Sequence, residues 1–185
     1  MKIEESFISD VKIIHQFRAD DNRGSFIKTF HHSSLLENGI DFEIKESFYS
    51  ISSQDVIRGM HFHHPPFDHD KIVFCVDGSI LDIALDLRKN SPTYGQAVST
   101  ELSFDNHKAL YIPKGFAHGF LVISEEATFN YKCTDFYAPE YDCGVLWNDD
   151  EIGIEWPLEG IDNILLSEKD KNQKRLNELD IPFKY

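Results

Sequence analysis

Short apolar runs separated by turn residues are the feature that most limits how this chain can fold. Most runs end at Gly, Pro, Asn or Asp, which is typical of β-strands joined by turns. In the clearest run, 80–87, alternation places Leu81, Ile83, Leu85 and Leu87 on one face and Asp82 and Asp86 on the other. Further strands are predicted at 43–52, 56–63, 71–76, 110–113, 119–123 and 127–134.

Helical patterns are few, so the predicted fold class is all-β. One short helix is predicted at 33–38, with Gly39 ending it, and a longer one at 167–179 with Ser167 as its N-cap. The 15 Phe and 7 Tyr also favour strands. We expect a sandwich or barrel with a ligand in its mouth or interior. No repeat or linker divides the chain, so residues 1–185 are predicted to form a single domain.

The formal charge of −14 argues against nucleic-acid binding, which needs a basic surface. Three cysteines without a paired spacing indicate free thiols in a reducing compartment. The N-terminal residues lack the apolar core of a signal peptide, and no run approaches the ~20 apolar residues that span a bilayer. These features predict a cytoplasmic protein with no membrane partner.

Three predicted strands carry polar residues at positions that would otherwise be core. Period two places His61 and His63 on one strand face, Lys71 on a face with Val73 and Cys75, and Tyr131 on a face with Phe129 and Cys133. Together a His, a Lys and a Tyr inside one barrel could form an acid–base site. Each His or Tyr alone is more often a hydrogen-bonded core residue, whereas an unpaired buried Lys is costly.

A metal site competes for the same histidines. His61 and His63 form an HxH motif, Asp68 follows, and residues 113–118 form a PxGxxH motif that ends at His118. Cupin barrels bind metals with this kind of set, and imidazole and carboxylate ligands suit iron, manganese or zinc. A metal on the lone pair of His61 would prevent that residue from accepting a proton, so the two interpretations exclude each other.

Ordered motifs across nearly the whole chain, 21–170, resemble the dTDP-4-dehydrorhamnose 3,5-epimerase family. The motifs are VIRGMHF at 56–62, KIV at 71–73, DIALDLR at 82–88, SPTYG at 91–95, IPKGFAHGF at 112–120, YKCTDFYAPE at 131–140 and WNDDEIGIEWP at 147–157. Members are sugar-nucleotide epimerases with a cupin-like jelly-roll fold and no metal or other cofactor. The resemblance implies an isomerase of deoxysugar biosynthesis for surface polysaccharide, acting on a nucleotide-linked 4-keto-6-deoxy sugar.

The resemblance also implies roles for four catalytic residues. His61 corresponds to the general base, and Asp170 to the carboxylate that orients it. Lys71 corresponds to the lysine that holds the enolate oxygen. Tyr131 corresponds to the proton donor on the opposite face of the sugar.

Other positions match residues that contact the substrate. Arg23 and Arg58 correspond to arginines at the diphosphate or sugar, Phe26 to an aromatic residue near the nucleotide base, Tyr137 to a tyrosine near the sugar, and His118 to a histidine of the pocket wall. The family is homodimeric, so a homodimer is expected here.

One departure from the family lies close to the predicted base. Where the family usually has Gln, two residues after the base, this chain has His63, which we also expect to contact the substrate. This and other departures leave open whether the nucleotide is dTDP, GDP or CDP, whether the sugar is a hexose or heptose, and whether carbon 3, carbon 5 or both are inverted. A metal-dependent cupin enzyme and a non-catalytic sugar-nucleotide-binding module remain the alternatives.

Overall fold

A computed structural model describes all residues, 1–185, as a protein of strands with only short helices. The strands are β1 Lys2–Glu5, β2 Lys12–His15, β3 Phe17–Asp21, β4 Gly24–Lys28, β5 Glu46–Ser53, β6 Ile57–His63, β7 Lys71–Asp77, β8 Ser79–Asp86, β9 Ala97–Ser103, β10 Lys108–Ile112, β11 Phe116–Val122, β12 Glu126–Cys133 and β13 Asp142–Gly144. The α-helices are α1 His32–Leu36 and α2 Glu168–Lys171, and 3-10 turns lie at Pro139–Tyr141 and Leu176–Glu178. The predicted all-β class is confirmed. No helix has the length and apolar character needed to cross a membrane.

Two antiparallel sheets and a separate ribbon make up the fold. The six-stranded sheet has the order β1-β2-β10-β7-β12-β5, and the five-stranded sheet has the order β13-β6-β11-β8-β9. Strands β3 and β4 pair only with each other as a two-stranded ribbon. The seven predicted strands correspond to β5–β8 and β10–β12. The prediction missed β1–β4, β9 and β13.

Three apolar clusters hold these layers together. The largest lies between the two sheets and includes Val73, Leu110 and Phe129 from one and Ala84 and Phe120 from the other. A second covers the outer face of the five-stranded sheet with residues from the C-terminal segment. The third packs the segment around α1 against the outer face of the six-stranded sheet. Burial on both faces explains why many of these strands appear in the sequence as short apolar runs.

Strand β8 shows what burial on both faces requires. Ile83 and Leu85 belong to the outer cluster, while Ile80 and Ala84 belong to the cluster between the sheets. Asp82 and Asp86, on the inner face, are completely buried. Asp86 accepts hydrogen bonds from Arg88, Ser91 and Thr93. The predicted faces of this strand are correct, and the aspartate face points into the protein.

The helix predicted at 167–179 is wrong beyond its first turn. Ser167 does cap α2, because its Oγ accepts a hydrogen bond from the Asp170 amide at 3.1 Å. The chain then extends so that Lys174 forms a bridge with Val145 and Leu176 enters the outer cluster. These tertiary contacts outweigh the local helix preference of the segment.

Two glycines allow strands β6 and β11 to approach closely. Gly59 has φ of +122°, and a Cβ atom there would lie 2.5 Å from the Cα of Gly119. The strand register shifts between His118 and Phe120, around this contact. Any side chain at Gly59 would therefore separate the strands that carry His61 and His118.

Candidate active site

A cavity of about 340 Å³ opens between the two sheets and brings most of the predicted site residues together. One wall is formed by the six-stranded sheet and the other by β6 and β11, so side chains from distant parts of the sequence face each other. The lining residues are Glu46, Phe48, Arg58, His61, His63, His69, Lys71, His118, Phe120, Tyr131, Cys133, Tyr137 and Asp142. An adjoining groove of about 430 Å³ shares Phe48, Arg58, His61 and Tyr131 with it and continues along the segment at 165–170.

His61 and Asp170 form a hydrogen-bonded pair at the junction of the cavity and the groove. The Nε2 atom of His61 lies 2.6 Å from Oδ1 of Asp170. The His61 side chain is 31% exposed and the Asp170 side chain 4% exposed. Burial opposes ionisation of Asp170, but the hydrogen bond and charge of His61 outweigh it and lower the pKa of the carboxyl. The pair can therefore stabilise a proton on His61.

The C-terminal segment brings Asp170 to His61 by contacts on both sides of α2. Before the helix, Leu165 exchanges backbone hydrogen bonds around Val56, at the start of β6. After it, Lys174 pairs with Val145, next to β13. These anchors fix the position of a short helix that would not be stable alone.

Lys71 begins β7 on the opposite wall, and its ammonium group points toward His61. Its Nζ donates to the backbone oxygen of His61 at 3.4 Å. Burial lowers the pKa of Lys71, and the nearby Cys133, Asp142 and Asp82 oppose this shift. A weakly hydrated cation in such a cavity interacts strongly with a developing negative charge.

Tyr131 lies on β12, across the cavity from His61. Its ring stacks on Phe48 with the centroids 4.7 Å apart and the planes 15° apart, and its edge meets Phe129. Burial raises the pKa of Tyr131 well above its ordinary value of 10.0. The phenol therefore keeps its proton at neutral pH and is available as a donor.

His118, in the cavity wall, forms a second histidine–aspartate pair with Asp82 behind it. Its Nε2 lies 2.8 and 3.0 Å from the two carboxylate oxygens of Asp82. Burial lowers the pKa of His118 and raises that of Asp82, and the mutual hydrogen bond and charges of the pair oppose both shifts. His118 also meets the Tyr131 ring edge at 5.8 Å. The pair thus supports the aromatic wall on which Tyr131 is held.

Residues of β6, β13 and the following loops form the far end of the cavity. His63 is buried there, with its ring centroid 4.8 Å from that of His69 and 5.5 Å from that of Tyr137. The Tyr137 hydroxyl donates to Oδ2 of Asp142 at 3.0 Å, and Lys169 donates to the same oxygen. This end is polar and closely packed.

The predicted substrate-binding residues separate into two groups in space. Arg58, His63, His118 and Tyr137 line the cavity. Arg23 and Phe26 do not, because they lie on the β3–β4 ribbon beside a shallow cleft of their own. The Arg23 side chain is 85% exposed and pairs with Asp21 at 2.6 Å. One copy of the chain therefore does not bring these two residues to His61.

The alternative metal set is not arranged as a metal centre. No group of three or more His, Cys, Asp or Glu side chains is positioned to hold a metal ion. The Nε2 atoms of His61 and His118 are each bound to an aspartate, which leaves His63 and Asp68 without converging partners from this set. The geometry does not favour the metal interpretation of the HxH and PxGxxH motifs.

Among the residues of the site that the sequence did not predict are the polar residues Asp82, Asp142 and Lys169. Asp82 had a signal, because Ile80 and Ala84 flank it at alternate positions and an aspartate between apolar neighbours on one face indicates a buried partner. Asp142 and Lys169 had no such signal. Their pairing depends on how the C-terminal segment crosses β13.

Known proteins similar to this chain agree in one family. The sequence profile of the family described as dTDP-4-dehydrorhamnose 3,5-epimerase matches residues 5–178. A protein of that name from Methanothermobacter thermautotrophicus is 47% identical over 158 residues, covering 85% of each chain. One from Escherichia coli K12 is 42% identical and covers 97% of this chain and 96% of its own.

A solved structure is similar over the full length of the chain. It is a dTDP-6-deoxy-D-glucose-3,5-epimerase from Legionella pneumophila, in complex with dTDP-4-keto-L-rhamnose. The TM-score is 0.95 at 37% identity, and the match covers 100% of this chain and 98% of the other. The predicted cupin-like jelly-roll fold is thereby confirmed.

Proposed function

The chain belongs to the dTDP-4-dehydrorhamnose 3,5-epimerase family, as its motifs predicted, and we propose that it inverts both carbon 3 and carbon 5 of a dTDP-linked 4-keto-6-deoxyhexose. It is an isomerase that acts on nucleotide-linked 4-keto-6-deoxy sugars of deoxysugar biosynthesis. The choice of dTDP and of two centres follows the names of the relatives. The observation that carries the assignment of chemistry is the His61–Asp170 pair facing Lys71 and Tyr131 across one cavity.

Proton removal is the first step of the proposed reaction. A ketone at carbon 4 makes the hydrogens on carbons 3 and 5 acidic, because the carbanion delocalises onto the ketone oxygen. Asp170 occupies Nε2 of His61, so Nδ1 is the nitrogen left to accept the proton. The carboxylate then stabilises the imidazolium that forms. A base held in this way typically contributes ~10²–10⁴-fold to the rate.

The enolate formed in this step needs a positive charge and a proton donor. Lys71 lies beside His61 and can bind the enolate oxygen. Tyr131, which retains its proton, lies on the opposite sheet and can return a proton to the other face of the carbon. Return from the opposite face inverts the centre. The proton taken by His61 leaves to solvent through the open groove, which Tyr131 also lines, and the Tyr131 phenolate regains a proton from the same solvent, so that both residues are reset before the second centre reacts.

Solvent deuterium exchange tests this function. The chain, dissolved in D2O with the dTDP-linked 4-keto-6-deoxyhexose, is expected to incorporate deuterium at carbons 3 and 5 with inversion at each. His61→Asn should abolish nearly all exchange, whereas His32→Asn, at an exposed histidine outside the cavity, should match the unsubstituted protein. Exchange at one carbon only would contradict the double inversion. No exchange with dTDP-, GDP- or CDP-linked substrates would contradict the function.

A homodimer is part of the proposal, because it accounts for the ribbon. Phe17 and Phe26 are 48% and 60% exposed on β3–β4, and a two-stranded ribbon is marginally stable by itself. Strand β5 ends the six-stranded sheet next to the cavity, with Phe48 and Tyr49 exposed. A ribbon docked on the β5 edge of a second copy would place Arg23 and Phe26 near that copy's Arg58.

Mixing two defective variants tests whether sites are shared between copies. His61→Asn and Arg23→Ala chains should each be impaired, and their mixture should regain activity, because one site of a mixed dimer has both intact residues. A mixture no more active than the sum of its parts, or a monomer by sedimentation, would contradict the shared site.

We also propose that the protein works in the cytoplasm. All three cysteines are free thiols, and Cys75 and Cys133 are buried. Such thiols are typical of reducing compartments. Fractionation of cells that express the protein is the direct measurement.

A further inference from the structure

The far end of the cavity contains buried polar atoms that no protein group satisfies. His63, on β6, is directly opposite Asp142, on β13, and it is 8% exposed. Neither Nδ1 nor Nε2 of His63 has a hydrogen-bond partner within the protein, and neither does Oδ1 of Asp142. Buried polar atoms are nearly always paired, so three unpaired ones side by side indicate a ligand group.

The surrounding contacts hold these atoms in place. His69 and Tyr137 pack against the His63 ring on two sides. Lys169 and Tyr137 occupy Oδ2 of Asp142, which leaves Oδ1 as the free acceptor. Burial, aided by the charge of Lys71, lowers the pKa of His63 to about 4, so the ring is neutral at physiological pH. A neutral imidazole offers one N–H donor and one bare nitrogen acceptor.

The subsite offers one donor, the N–H of His63, and two acceptors, the other His63 nitrogen and Oδ1 of Asp142. These groups determine which kind of ligand group can pair with them. A hydroxyl group both donates and accepts hydrogen bonds, so it can pair with the His63 N–H and with Oδ1 of Asp142 or the bare nitrogen. A ketone or ring oxygen could only accept, and a methyl group could do neither.

We propose that His63 and Asp142 form a subsite that binds a ring hydroxyl of the sugar and thereby helps to select the substrate. The inference rests on the proposed function, since it requires the sugar to lie against His61. His61 and His63 are two residues apart on one face of β6, which separates them by about 7 Å. A pyranose whose reacting carbon meets His61 can reach His63 with the hydroxyl on carbon 2 or carbon 3.

Two changes test the subsite: removal of the hydroxyl group from the substrate, and replacement of His63 by a residue without ring nitrogens. The kcat/KM for deuterium incorporation is measured with the full 4-keto sugar nucleotide and with its 2-deoxy and 3-deoxy analogues. We expect the unsubstituted protein to lose about 100-fold on the analogue that lacks the bound hydroxyl, because buried polar groups are then left unpaired. His63→Phe keeps the ring contacts with His69 and Tyr137 and should discriminate less than about 3-fold.

Two further variants of His63 serve as controls in the same kcat/KM measurement. His63→Gln, which restores a donor and an acceptor, should retain discrimination, and His63→Leu should lose it, so a folding defect in the Phe variant does not remove the test. Equal discrimination by His63→Phe and the unsubstituted protein, or none by the unsubstituted protein, overturns the subsite. Absence of exchange on the full substrate by the unsubstituted protein contradicts the proposed function instead.

Discussion

Two histidine–aspartate pairs lie side by side in this protein and differ mainly in their access to the cavity. His61 and His118 are partners across the β6–β11 ladder, and each uses Nε2 to contact a carboxylate. The His61 side chain is 31% exposed, whereas that of His118 is 4% exposed. The first carboxylate comes from the C-terminal segment and the second from a neighbouring strand, β8.

The two aspartates of these pairs have pKa values shifted in opposite directions. The pKa of Asp170 is lowered, because the hydrogen bond and charge of His61 outweigh its desolvation. The pKa of Asp82 is raised, because its desolvation is complete. The partly open pair reaches the cavity and can exchange a proton with a ligand there, whereas burial disfavours the charged forms in the closed pair. Access to the cavity, more than residue identity, therefore separates the proposed base, His61, from the wall residue His118.

The largest effect is expected at the partly open pair, His61–Asp170. His61→Asn should lower kcat for deuterium incorporation about 1000-fold, because it removes the base. The thermal unfolding temperature should fall by roughly 5 °C, because the buried Asp170 carboxylate loses its hydrogen-bond partner, and the loss of kcat should far exceed this effect on stability. A rate within tenfold of the unsubstituted protein would show that another group takes the proton.

At the buried pair, His118–Asp82, a substitution is expected mainly to lower the free energy of unfolding. Asp82→Ala leaves the buried His118 ring without its partner and should reduce the free energy of unfolding by about 3 kcal/mol. Urea denaturation measures this change. If deuterium exchange is lost while the free energy of unfolding is retained, the His118–Asp82 pair takes a direct part in the chemistry and is more than a part of the cavity wall.

Removing only the charge of Asp170 tests how the open pair works. Asp170→Asn keeps the shape of the side chain but weakens stabilisation of the imidazolium, and we expect kcat to fall about 30-fold. Because the folded pKa of Asp170 lies below 3.8, its stabilising effect is present above that pH and is lost as the pH falls through the folded pKa. An unchanged kcat would assign Asp170 a purely structural role.

The smallest expected effect, taken per pH unit, concerns a third histidine, His63, which makes no hydrogen bond to a carboxylate. Its folded pKa of about 4 lies below the ordinary 6.5, so the unfolded chain binds a proton in this window that the folded one does not. Stability should therefore fall as the pH decreases from 6.5 to 4, by about 1 kcal/mol per pH unit for this residue. Unfolding of His63→Gln across this range should show a smaller slope. An identical slope would mean that His63 is protonated in the fold.

Much of the site was predictable because its residues lie on strands with a clear period. Alternation placed His61, Lys71 and Tyr131 on inward faces, and the structure lines one cavity with all three. Residue spacing could not show that Asp82 is paired with His118, since that contact depends on the order of β8 and β11 in the sheet. The ribbon strands β3 and β4 were missed because they are short, polar and exposed.

The sequence by itself determined the fold class and the family and named the residue types of the proposed acid–base chemistry, because periodicity and motifs are local properties of the chain. Only the tertiary structure decided which groups meet. It kept only the first turn of the predicted C-terminal helix, anchored on both sides so that Asp170 meets His61, and it left the nitrogens of His63 unpaired beside Asp142. The physical reason is that burial and pairing are set by contacts between residues as far apart as 61 and 170, which no local pattern encodes.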